Sequence, residues 1–201
     1  MSTVVTTGRR SEASPLFTAR MTGVFWLLTV LTGTVAMIAR TGPLAILVNL
    51  VSTACYAGAT VFAYYLLKPV SRNVSLLGMV VSLVGCTISA LSAVVPLGAQ
   101  APTVAFLFFG LHCCTVGYLI LRSIFLPRAL GALMVFGGLG WLTFSLSTLL
   151  SPPLARTLSP YIMFPGILGE VTLTFWLLAK GVNAERWYEQ ASAKGAREQA
   201  V

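Results

Sequence analysis

The sequence predicts an all-α integral membrane bundle of six transmembrane helices with both termini on the cytoplasmic side. Three observations predict it. Charged residues make up 9% of the chain and apolar ones 57%, against about 25% and 45–50% in soluble domains. Six apolar stretches are long enough to cross a ~30 Å hydrocarbon core, which takes about 20 helical residues. Lys and Arg gather in the segments that such a path places on one side.

The first span, 21–39, follows a polar, Ser/Thr-rich segment, 1–20, that is expected to be disordered. Its apolar run exceeds the 7–15 residues of a cleaved signal, no A-x-A site follows it, and Arg9-Arg10 lacks the apolar residues of a twin-arginine signal. It reads as an anchor that stays in the membrane. The next spans are 44–67, 74–97, 103–122, 129–150 and 161–180. The connectors 40–43, 68–73, 98–102, 123–128 and 151–160 are too short to hold a soluble domain. The chain thus divides into an N-terminal segment, a transmembrane domain over 21–180 and a cytoplasmic tail over 181–201. In the tail, Glu185/Glu189 and Arg186/Gln190 recur at helical spacing. Mixed charge of this kind is ordinary for an exposed helix face, so the tail reads as a fraying extension of helix six rather than a docking segment. Trp187-Tyr188 suit the headgroup level.

One side of the membrane collects Arg9, Arg10, Arg20, Lys68, Arg72, Arg122, Arg128, Lys180, Arg186, Lys194 and Arg197; the other holds only Arg40 and Arg156. This bias sets both termini inside an inner, cytoplasmic membrane. It also accounts for the net charge of +8 without a nucleic-acid partner. The expected partners are membrane lipids, a small-molecule ligand and, as an alternative use of the small-residue faces, a second copy in a homodimer. Those faces are Gly78, Ser82, Cys86 and Ala90 on helix three, Gly110, Cys114 and Gly117 on helix four, and Gly131, Gly137, Gly138 and Gly140 on helix five. Small residues at such spacing let helices approach closely in lipid, and packing inside the bundle is their first expected use. The turns "YLLKPVSRNVSLLG" and "YLILRSIFLPRALG" hint at a parallel internal repeat.

Only two acid-base groups lie deep within spans, His112 and Glu170, each near the middle of its helix. An ionised group at the bilayer centre costs at least about 2.5–3.5 kcal/mol, so such residues face the interior, pair, or mark a pathway. Helices four and six run in the same direction, which puts both groups at similar depth. Gly166, Glu170 and Thr174 form a stripe at steps of four, and Pro165-Gly166 one turn earlier should kink helix six. Tyr118, Asn49 and Arg122 are weaker candidates, the last expected to snorkel. Cys55, Cys86, Cys113 and Cys114 read as packing residues, with neither a C-x-x-C framework nor enough further ligands for a metal. No cofactor is expected. Phosphate loops, H-E-x-x-H, G-x-S-x-G and paired carboxylates are missing, which argues against a conventional hydrolase.

The run "FFGLHCCTVGYLILRSIFLPRALGALMVFGGLGWLTFSLSTLLSP", together with Gly169-Glu170, "WLLAKGV", "LLKPVSRNVSLLG" and "MTGVFWLLTVLTG", resembles the bacterial domain-of-unknown-function 4386 family over roughly 20–182. The resemblance implies a polytopic membrane protein and supplies no activity. It also implies an acid in helix five where this chain has Phe144, and a Tyr where it has Trp141. The first external segment is shorter than the family's. Three functions fit: binding or moving a small solute or proton with Glu170 as titrating group, a structural or regulatory membrane subunit, and an intramembrane enzyme using His112 and Glu170 as an acid-base pair.

Overall fold

The computed structural model describes residues 14–39 and 41–199. Its elements are α1 (Pro15–Ala39), α2 (Pro43–Leu67), α3 (Arg72–Val94), α4 (Ala101–Arg122), α5 (Arg128–Leu150), α6 (Pro152–Ala179) and α7 (Ala184–Gln199). No strand occurs among the described residues. Each of α1 to α6 contains a stretch long and apolar enough to cross a membrane. The helices pack in chain order, each on its sequence neighbour, and α6 closes the ring on α1. Leu31, Ile38, Leu77, Val80, Phe136, Leu139 and Leu150 stand exposed around the outside. A face so apolar is one built for lipid.

Two boundaries differ from the sequence reading. α1 begins at Pro15, inside the segment expected to be disordered, and Ala19 and Thr22 are among its buried residues. Proline is favoured at the start of a helix because its missing N–H would be unpaired there anyway. The Thr22 hydroxyl returns to the Thr18 carbonyl at 2.8 Å, which hides its polarity. Residues 1–13, with Arg9 and Arg10, lie outside the described residues, as does Arg40. The same proline logic makes the connector 151–160 helical: α6 starts at Pro152, with Pro at its first positions.

The tail reading is corrected more sharply. α6 ends at Ala179 and does not continue into the tail. Gly181 has φ +66°, a left-handed conformation that side chains disfavour, and its N–H reaches back to the Trp176 carbonyl at 3.0 Å. Asn183 then caps α7 by accepting the Arg186 N–H at 3.1 Å. α7 folds back across the helix ends. The Trp187 indole donates to the Leu66 carbonyl at 2.8 Å, Lys194 Nζ to the Lys68 carbonyl at 3.1 Å, and Gln190 Nε2 to the Arg122 carbonyl at 3.4 Å. The last carbonyls of a helix have no intrahelical donor. α7 supplies donors to the ends of both α2 and α4, the two turns whose sequences look alike.

Interior packing uses the small residues. A Cβ on Gly117 would sit 2.7 Å from the Gly131 carbonyl oxygen, and one on Gly138 2.7 Å from the Cys114 nitrogen. A Cβ on Gly140 would meet the Ile162 carbonyl oxygen at 2.7 Å, and one on Gly169 the Leu133 carbonyl oxygen at 2.7 Å. Backbone therefore lies on backbone from α4 through α5 to α6.

Candidate functional site

Glu170 lies mid-span on α6 and is half-buried. Its Oε1 accepts two hydrogen bonds, from the Trp141 indole N–H on α5 at 2.9 Å and from the Cys113 thiol on α4 at 3.3 Å. Behind Cys113 stands Tyr56 of α2, whose hydroxyl is 3.9 Å from the sulfur, a long contact even for that soft acceptor. With the thiol proton committed to Glu170, the tyrosine is the donor of this pair. The result is a buried polar line, Tyr56 to Cys113 to Glu170 to Trp141, crossing four helices.

Trp141 reaches the carboxylate because Gly166 leaves room for it. A Cβ at Gly166 would sit 2.5 Å from the indole ring. Helix α6 runs unbroken through Pro165 and Gly166. The pair serves here as a thin spot in the helix: a Cβ on Gly137 would lie 3.0 Å from the Pro165 carbonyl oxygen, and Trp141 seats against Gly166. Phe106 stacks on Trp141 with centroids 5.2 Å apart, and Phe144 closes edge-on at 6.4 Å. Phe144 thus lies in the aromatic wall of the site, at the position where the family resemblance implies an acid.

His112 is 2% exposed and does not pair with Glu170. Its Nδ1 lies 2.9 Å from the Gly78 carbonyl oxygen of α3. A carbonyl only accepts, so Nδ1 carries the proton and Nε2 of the neutral ring is an acceptor. Neighbouring residues on a helix point about 100° apart. With Cys113 aimed at α6, His112 must face elsewhere, and it faces α3 and α1. Glu170 bonds Cys113, the residue next to His112, while His112 itself meets Gly78.

The other candidates divide. Thr174 is buried, but its hydroxyl is spent on the Glu170 backbone carbonyl at 2.7 Å. Tyr118 is exposed, with the Arg122 guanidinium 5.6 Å from its ring, and stands apart from the layer. Asn49 sits in the second turn of α2, its Oδ1 buried without a partner among the described residues. No group of three His, Cys, Asp or Glu able to hold a metal occurs among the described residues.

Sequence reasoning missed Tyr56, Cys113, Trp141 and Trp26. Trp26 is 1% exposed, and its ring centroid is 6.4 Å from that of His112 and 6.3 Å from that of Tyr56. Both Trp26 Nε1 and His112 Nε2 are buried without a partner among the described residues. One is a donor and the other an acceptor. A void of about 10 Å³ also lies against Trp26, but apart from Thr22 its other walls are apolar, among them Leu66, Leu126 and Leu173, and it does not reach His112. The available signal was that a tryptophan inside a bundle needs an acceptor for its N–H.

The family described as "Domain of unknown function (DUF4386)" matches residues 97–181, a stretch that contains His112, Cys113, Trp141 and Glu170. A protein of Archaeoglobus fulgidus described as uncharacterized is 34% identical over 125 residues, covering 59% of this chain and 72% of the relative. Since that relative is archaeal, it lends no support to a bacterial source. No solved structure gives a significant match.

Proposed function

Because the chain belongs to the DUF4386 family, whose description assigns no activity, we propose from the site itself that the bundle binds a small polar species in its mid-span layer, a proton carried on water being the simplest. The observation that carries this reading is the buried donor and acceptor of Trp26 and His112, both unmet, beside the line from Tyr56 to Glu170. An unmet polar group in a dry core costs about 1–3 kcal/mol, so such a pair is kept where something of complementary polarity visits. Glu170 is the titrating group of this reading, and His112 the acceptor that receives the guest.

A second reading has its own support. Glu170 takes donors from α4 and α5 while standing on α6, and so ties three helices together. A structural or regulatory subunit would need nothing more. The bundle is proposed to lie in the cytoplasmic membrane with both termini inside. The residues Lys68, Arg72, Arg122, Arg128, Lys180 and Arg186 flank the turns and helix ends on the α7 side, and Arg156 lies at the other end of α6.

Proton flux into liposomes, read with an internal pH dye under an imposed potential, separates the two readings. Wild-type protein should exceed empty liposomes, and Glu170→Gln should fall at least about tenfold while folding normally, since the amide keeps an acceptor for Trp141 but cannot exchange a proton. His112→Gln should also lower the flux. Equal rates for wild type, variants and empty liposomes would leave the tie as the remaining account.

A further inference from the structure

A separate concavity lies at the α7 end of the bundle, between the α4–α5 turn and the α6–α7 corner. It encloses about 420 Å³. Phe125, Leu126 and Pro127 form one wall, and Trp176, Lys180 and Arg186 the other. No acidic residue lines it. Lys180 is exposed at the end of α6, and its ammonium has no hydrogen-bond or ion-pair partner among the described residues. Arg186 spends one guanidinium nitrogen on the Ile124 carbonyl at 3.5 Å, which leaves most of its five donors open. Glu185 precedes Arg186 on α7 and so points about 100° away from it.

The cleft sits where α6 leaves its apolar stretch. Below it the surface is lipid-like, with Phe175 exposed on α6. Two cations and a tryptophan at that level match the chemistry of the anionic headgroup zone. The volume is far larger than a phosphate ion needs, and the apolar wall would be wasted on one. We propose that this cleft binds the phosphate of an anionic lipid headgroup, with Lys180 and Arg186 as its ligands and the Phe125–Trp176 walls flanking the glycerol. This inference is independent of the mid-span layer, since none of the residues lining the cleft is a side-chain hydrogen-bond partner of Glu170 or His112.

Thermal unfolding of the delipidated full chain in neutral detergent tests it. Added phosphatidylglycerol should raise Tm by several degrees, because a ligand of the folded state alone stabilises it, and phosphatidylcholine should do much less. Lys180→Gln with Arg186→Gln should remove most of that rise, whereas Arg156→Gln, at the other end of α6, should keep it. Lys180→Gln alone removes no side-chain hydrogen bond and should already halve the effect. Inorganic phosphate giving the full rise would overturn the lipid assignment and make the cleft a site for soluble phosphate. An equal rise in the double variant, or with phosphatidylcholine, would overturn the proposal.

Discussion

The two halves of the ring are held together by different means. From α4 to α6 the helices meet through glycine, with Gly110, Gly117, Gly131, Gly138, Gly140 and Gly169 each set against a neighbouring backbone oxygen or nitrogen. From α1 to α3 the ties are hydroxyls. Ser52 donates to the Thr29 carbonyl at 3.1 Å, Thr60 and Ser82 meet at 2.7 Å, and Ser75 donates to the Tyr64 carbonyl at 3.2 Å. Lipid gives helices no hydrophobic reason to associate, so close backbone contact and interhelical hydrogen bonds are the two means left. The first is intolerant of any added atom. The second loses only the bond when a hydroxyl is removed. The rigid half carries Glu170 and its two donors; the unmet groups of Trp26 and His112 lie where the two halves face each other.

That difference can be broken by substitution. The largest effect is expected at Gly138, where a methyl would sit 2.6 Å from the Cys114 sulfur and 2.7 Å from the Gly110 carbonyl oxygen. Gly138→Ala should cost at least the ~1–3 kcal/mol typical of overpacking, because the obstacle is backbone and cannot move aside. Thermal melting and gel filtration in detergent should report a large drop in Tm or loss of a single folded peak. A stable Gly138→Ala protein would mean that α4 and α5 are not in backbone contact.

An intermediate effect is expected at Gly166, where the obstacle is a side chain. Gly166→Ala must push the Trp141 indole off its seat and weaken its bond to Glu170. The expected cost is ~1–2 kcal/mol. In a Trp141→Phe background the same substitution should cost clearly less, because the crowded indole is gone. Equal costs in both backgrounds would show that Gly166 is needed for some reason other than seating the tryptophan.

The smallest effect belongs to the hydroxyl half. Thr60→Val keeps the shape and removes one partner of Ser82. Hydrogen bonds between membrane helices average ~0.6 kcal/mol and reach ~1.7, so Tm should move only slightly. A loss as large as that of Gly138→Ala would erase the distinction between the halves.

The architecture was legible because it follows from bulk properties. Length, hydropathy and the paucity of charge specify six spans with little room for alternatives, and glycine spacing specified where helices come close. Glu170 was legible for the opposite reason, as one polar residue that lipid could not tolerate outside. Its partners were not. Cys113 reads as a packing residue until α6 is placed beside it, and Tyr56 and Trp141 acquire a role only through contacts across four helices. Adjacent positions on one helix also hid the outcome for His112, since facing α6 was open to it or to Cys113 but not to both. The tail was misread because mixed charge describes a solvated helix and a helix docked on polar turns equally well. What decides is Gly181 and the free carbonyls of α2 and α4, and the latter appear only once those ends lie together.

The central claim is that the mid-span layer receives a small polar guest between Trp26 and His112. An experimental structure in lipid, at a resolution that shows ordered water, tests this most directly. The account predicts one ordered density within hydrogen-bond reach of both Trp26 Nε1 and His112 Nε2, accepting from the indole and donating to the imidazole. A dry core in which those two atoms bond each other, or turn to other protein groups, would contradict it and leave Glu170 as a tie between helices.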